Sequence, residues 1–143
     1  MIPDFSAGRK LYIHFIGIGG ISMSGIAHIL LERGHRVSGS DRSASPITEK
    51  LKAKGAEVYV GHSREYIKDP DLVVYTSAVD QSNPELEAAR EKGIETIDRA
   101  GMLGLLMKEY RYPVAVAGAH GKTTTTSMVS LIFENAGLDP TLL

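Results

Sequence analysis

The sequence predicts an α/β fold: a Rossmann-like, doubly wound parallel sheet of about five strands, followed by the first βα unit of a truncated P-loop ATPase domain. Three observations predict it. Short apolar runs alternate with segments of helical periodicity along residues 11–108, and such alternation with short loops joins parallel strands by right-handed crossovers. Two strand-to-helix junctions are glycine loops, Gly17–Ser22 and Gly118–Thr123. After Tyr112-Pro113 the text supplies one strand and one helix and nothing more.

The elements follow in order. Leu11–Ile16 (LYIHFI) is an apolar run bounded by Gly17 and reads as a buried strand. A helix is expected from about Gly20 to Glu32, with Met23, Ile26, Ala27, Leu30 and Leu31 spaced by three and four and Gly34 just past its end. His35–Ser40 (HRVSGS) is a second strand, closed by Asp41. Pro46 opens a helix reaching about Lys54 and stopped by Gly55. Glu57–Val60 is a short strand and Leu72–Thr76 (LVVYT) a strong one. Pro84 opens a helix ending near Lys92-Gly93, Glu95–Ile97 is a short strand, and Arg99 to about Lys108 is an apolar helix. Residues 1–108 form the expected first domain, with its ligand at the carboxyl ends of the strands near the switch point. Residues 109–112 read as a linker. In 113–143, Val114–Ala117 is expected as a strand and 123–136 as a helix ended by Gly137.

Composition narrows the function classes. The chain has 143 residues, 43% hydrophobic and 23% charged, with a formal charge of −1. That balance gives no footprint for nucleic acid or a membrane surface. No apolar run approaches the ~20 residues of a membrane span, and the first residues lack a signal-peptide core, so the cytoplasm is the expected location. There is no cysteine, and His14, His28, His35, His62 and His120 are scattered without ligand spacing, which argues against a structural metal site.

The first glycine loop is Gly17-Ile18-Gly19-Gly20-Ile21-Ser22. Its glycines permit a tight turn and a close backbone approach to a diphosphate resting on the positive end of the helix. Ser22 stands where the dinucleotide motif has its third glycine. Asp41, at the end of the second strand, has the spacing of an acid that bonds a ribose hydroxyl, and it equally suits a turn or cap in Ser40-Asp41-Arg42-Ser43. Taken alone, this half suggests a nicotinamide-dependent oxidoreductase.

The second loop, Gly118-Ala119-His120-Gly121-Lys122-Thr123-Thr124, changes that reading. A Gly-Lys-Thr core between strand and helix is the phosphate-loop pattern. Backbone amides wrap the phosphates, the lysine meets the β- and γ-oxygens, and the first hydroxyl ligates Mg2+. The position of the pattern's first glycine holds Val116, so the loop is shorter at its entry. An oxidoreductase has no need of a second, lysine-bearing loop. Two nucleotide sites in series suggest a ligase or transferase, one nucleotide anchoring the substrate and the other donating a phosphoryl group.

Phe15–Ala27 (FIGIGGISMSGIA), Ser38–Asp41 (SGSD), Thr76–Val79 (TSAV) with Asn83-Pro84-Glu85, and Gly118–Thr126 (GAHGKTTTT) together resemble the Mur ligases, in the right order over nearly the whole chain. The resemblance implies a three-domain, ATP-dependent amide ligase of peptidoglycan precursor synthesis. Its nearest member joins L-alanine to UDP-N-acetylmuramate through an acyl phosphate. It implies ATP and Mg2+ as cofactors. ATP contacts fall to Gly118, Ala119, His120, Gly121, Lys122, Thr123 and Thr124. Lys122 and Thr123 act in the chemistry, Thr123 as the metal ligand, while His120 supports the loop. UDP-sugar contacts fall to Gly17, Gly19, Gly20, Ile21, Ser22, Ser24, Asp41, His62, Ser77 and Ala78. For His62 and Ser77, surface-loop and turn roles stand beside the ligand role.

A single strand and helix cannot bury its own apolar face. This polypeptide alone is therefore expected to lack ligase activity, to bind ATP poorly, and to bind the UDP-sugar at most weakly. The apolar helix near the end is expected to pack on the first domain or on a neighbouring chain, with a homodimer one outcome. A murein-peptide recycling ligase and an NAD-binding protein remain the alternatives.

Overall fold

Side chains of a strand alternate between the faces of its sheet, and β1 (Tyr12–Ile16) shows what that alternation builds. Ile13 and Phe15 enter one core with Val37, Leu72 and Val74, against Met23, Ile26, Ala27 and Leu30 of α1 (Ile21–Glu32), Leu51 of α2 (Pro46–Ala53) and Met102 and Leu106 of α4 (Arg99–Lys108). Ile16 enters a second core with Val73, Ile67 and Leu86, Ala88 and Ala89 of α3 (Pro84–Glu91). Covering both faces buries the apolar strands that a parallel sheet requires.

This is a computed structural model; it describes residues 1–5 and 8–143. The remaining strands are β2 (Arg36–Asp41), β3 (Glu57–Val60), β4 (Leu72–Tyr75) and β5 (Thr96–Asp98). Their order is β3-β2-β1-β4-β5, with every neighbouring pair parallel. The expected five-stranded, doubly wound sheet is therefore present. The chain winds outward from β1 to β3, crosses through a 3-10 turn at Arg64–Tyr66, and resumes at β4 on the other side of β1. The switch point lies between β1 and β4, where an open α/β sheet leaves a crevice at its carboxyl edge.

Local sequence sets the helix ends. Ser45 and Thr48 form a reciprocal capping box with Pro46 at the first turn of α2. Asn83 and Asp98 cap α3 and α4 with their side-chain oxygens. Gly34, at φ +81°, closes α1: its amide donates to Leu31 O (2.9 Å) and the next, His35, to Leu30 O (3.0 Å). This paired closure satisfies carbonyls the helix would otherwise orphan.

By its contacts the chain divides into compact units of residues 1–109 and 110–143. The second contains α5 (Lys122–Asn135), closed at Gly137. The strand expected over Val114–Ala117 is not formed. A strand exists by virtue of a ladder with a neighbour, and no segment of 110–143 pairs with it. Met128, Leu131 and Ile132 on α5 are about three-fifths exposed (59%, 58% and 63%). Among the described residues, no helix is long and apolar enough to cross a membrane.

Candidate functional site

The first glycine loop sits on the carboxyl end of β1, held by the strands beside it. Gly17 and Ile18 amides both donate to the Ser40 carbonyl of β2, at 2.8 and 3.0 Å. Gly17 has φ +86°, and a Cβ there would lie 2.6 Å from Thr76 Cγ2 beyond β4, so only glycine spans the switch point. The Gly19 amide donates to Asp41 Oδ2 (2.8 Å), and a Cβ on Gly19 would meet that same oxygen. Gly20 donates to Gly17 O (3.3 Å). The glycine amides expected to face a diphosphate are thus spent inside the protein.

The open donors lie one step further along. Among the described residues, the amides of Ile21, Ser22 and Met23 have no partner, and Gly20 caps α1 without a side-chain bond. Three aligned N–H groups at a helix N-terminus attract an anion. Arg99, the first residue of α4, adds charge: its Nη1 donates to Ser22 Oγ (3.1 Å). Sequence reading passed over Arg99 because nothing local links it to a loop 77 residues earlier. Ser24 spends its hydroxyl on Ile21 O (2.8 Å).

The other first-domain residues gather at the same sheet edge. Asp41 ends β2, and the Gly61 amide beside His62 donates to the Asp41 carbonyl (2.7 Å). Asp41 Oδ2 braces Gly19, and among the described residues its Oδ1 makes no hydrogen bond. Ser77 and Ala78 are exposed beyond β4 in a tight turn, where the Ala78 amide donates to Thr76 Oγ1 (3.0 Å).

Beneath this edge lies a buried polar cluster that the sequence reading did not find. Glu85, the second residue of α3, is fully buried. Its Oε1 accepts from Ser40 Oγ (2.8 Å) and lies 2.7 Å from His62 Nδ1; its Oε2 lies 2.7 Å from His14 Nε2. His14 Nδ1 meets Ser38 Oγ at 2.7 Å, and Ser38 Oγ meets Tyr12 OH at 2.9 Å. The available signal was period-two alternation. Tyr12 and His14 on β1, and Ser38 and Ser40 on β2, put polar groups on one face of strands otherwise apolar. Buried polar groups persist when every member has a partner.

The second loop belongs to residues 110–143. Gly118–Thr124 are all exposed. Lys122 Nζ donates to the Gly118 carbonyl (2.6 Å), so its ammonium curls over the loop entrance. Gly121 caps α5 at φ +73° without a side-chain bond. Thr126 and Ser127 return their hydroxyls to carbonyls four residues back, at 2.7 and 2.9 Å. Among the described residues Thr123 Oγ1 and Thr124 Oγ1 make no such bond. A free hydroxyl beside a lysine at a helix N-terminus can give one ligand to Mg2+ and a cation and amides to a polyphosphate.

Known proteins are similar to this chain in sequence and fold. A UDP-N-acetylmuramate–L-alanine ligase of Clostridium botulinum is 57% identical over 98% of this chain, which spans 31% of that protein's length. The solved UDP-N-acetylmuramate–alanine ligase of Thermotoga maritima matches with TM-score 0.80 and 38% identity, over 88% of this chain and 30% of its own. A murein peptide ligase of Psychrobacter arcticus matches with TM-score 0.81 and 32% identity, over 89% and 27%. Residues 12–111, the sheet with its first loop and Arg99, match the model of the Mur ligase family, catalytic domain, and the chain belongs to that family.

Proposed function

We propose that this chain is the uridine-nucleotide-binding portion of a cytoplasmic ligase that joins L-alanine to UDP-N-acetylmuramate. The observation that carries this reading is the row of open amides on Ile21, Ser22 and Met23 beside Arg99, just past the switch point. A diphosphate placed there meets a helix dipole and a guanidinium together. Residues 1–108 take the UDP-sugar, with Asp41, His62, Ser77 and Ala78 around the nucleoside side of the same edge. Residues 109–112 link them to 113–143, which open the ATP domain. The choice of L-alanine is favoured by the 57% identity to the Clostridium ligase and, among solved structures, by 38% identity to the alanine ligase against 32% to the murein peptide ligase.

Amide formation from a carboxylate needs a leaving group. The lactyl carboxylate attacks the γ-phosphorus of ATP and ADP departs; the L-alanine amine then attacks the carbonyl carbon of the acyl phosphate, forming the amide as inorganic phosphate leaves and the nitrogen gives up a proton. Lys122 and the amides after Gly121 hold the phosphate oxygens, so two anions can approach each other. Thr123 Oγ1 would hold Mg2+, which supplies further charge neutralisation when bound. The chain spans about a third of its curated relatives' length, and we expect no ligase turnover from these residues alone. An association of copies through the open face of α5 belongs to the same reading.

Calorimetry with UDP-N-acetylmuramate and with Mg-ATP tests the division of labour. Measurable UDP-sugar binding with weak or absent ATP binding is expected; tight ATP binding by this chain overturns it. In a protein of the relatives' full length, Lys122→Ala should abolish ATP consumption, and L-alanine should outcompete a tripeptide. Preference for the tripeptide would favour the recycling ligase.

A further inference from the structure

Glu85 lies below the ligand-facing surface, where no solvent reaches it. It nonetheless controls a group that does reach that surface. A carboxylate only accepts hydrogen bonds, so the 2.7 Å contact requires a hydrogen on His62 Nδ1. When that is the ring's single proton, Nε2 carries a bare lone pair. The same logic runs through His14: with Nε2–H donated to Glu85, Nδ1 accepts from Ser38, whose oxygen accepts from Tyr12. Every buried member of the cluster is satisfied by one proton arrangement.

The surface consequence falls on His62, whose side chain keeps 22% exposure and whose Nε2 has no partner among the described residues. We propose that Glu85 is a positioning residue that locks His62 as the Nδ1–H tautomer, so that Nε2 is offered to the ligand as an acceptor. An acceptor selects its counterpart. On a uridine nucleotide the donors are the uracil N3–H and the ribose hydroxyls, whereas the phosphates only accept. His62 therefore reads the nucleoside, while the α1 amides and Arg99 read the diphosphate. Ser40 shares Oε1 with His62 and fixes the carboxylate from β2. This inference rests on the uridine-nucleotide reading of the edge.

The test uses the whole chain with UDP as probe. Long-range 1H–15N spectra of the imidazoles report the tautomer directly. His62 should show Nδ1–H, although histidine free in water favours Nε2–H. Glu85→Ala should shift His62 toward Nε2–H and weaken UDP binding about tenfold, the worth of one hydrogen bond. Glu85→Gln should keep both the His62 tautomer and the affinity: its carbonyl can accept from His62 and Ser40, while its amide donates to His14 Nε2 once the His14 proton has moved to Nδ1, where Ser38 Oγ accepts it. In a His62→Ala background, Glu85→Ala should cost no further affinity. An Nε2–H tautomer in the wild type, or a full affinity loss from Glu85→Ala without His62, overturns the proposal. If Glu85→Ala does not fold, the wild-type tautomer and Glu85→Gln still decide. Failure of the wild type to bind UDP sinks the nucleotide reading instead, and the spectra separate the two failures.

Discussion

The two glycine loops are written in the same local grammar, glycine before a helix after an apolar run, yet the protein holds them differently. The loop at Gly17 rests on three paired strands. Its amides close on Ser40 and Asp41, its turn is wedged against Thr76, and Arg99 arrives from α4. The loop at Gly118 has its own lysine as company, and the run before it forms no strand. The difference teaches that a phosphate loop is preorganised by the sheet beneath it and only permitted by its glycines. Preorganisation lowers the ordering cost of binding, so the first loop is the one expected to act within this chain.

Substitutions can break or sharpen that contrast. The largest effect is expected from Phe15→Ala, which empties a fully buried position under the first loop. It should cost about 3–5 kcal/mol in urea denaturation; a loss below ~1 kcal/mol would mean that the sheet does not support the loop. Next comes Gly17→Ala, which places a Cβ at φ +86° and 2.6 Å from Thr76. A loss of about 1–3 kcal/mol with weakened UDP binding is expected; unchanged melting and affinity would show that the turn is not under the constraint described.

A smaller effect depends on pH. Burial, then the charges of Lys10 and Arg33, hold the folded-state pKa of His35 below its ordinary 6.5, and its Nδ1 accepts from the Leu11 amide (3.1 Å). The unfolded chain therefore binds a proton first as the pH falls. The stability His35 contributes is present above 6.5 and is lost below it. His35→Gln should flatten the stability profile of the first unit over that range; an unaltered slope would remove His35 from the account. The smallest effect is expected at Leu131→Ala on α5, 58% exposed, which should stay within ~0.5 kcal/mol. A larger loss would show that a partner or a second copy covers the face, and sedimentation would distinguish the two.

Much of the architecture was legible in the chain. The run at Leu72–Tyr75, the spacing of Met23, Ile26, Ala27 and Leu30, and the glycines at 34, 55 and 93 are short-range signals. They act through strand propensity, helix periodicity and helix closure, and the element positions followed within a residue or so. Asp41 and His62 were legible as residues at strand ends. Their partners were not: Glu85 meets residues 23 to 71 positions away, and Arg99 meets Ser22 across the same kind of gap. Such contacts depend on which strands become neighbours.

By itself the sequence determined the alternation of strands and helices, the two glycine loops and the place of each helix end, because those follow from interactions among residues a few positions apart. Only the tertiary structure decided which loop amides remain open, that Asp41 braces Gly19, and that a buried glutamate governs His62. It also decided that Val114–Ala117 does not become a strand. The physical reason is shared: a hydrogen bond needs two groups brought together, and across a parallel sheet the second group comes from a distant part of the chain.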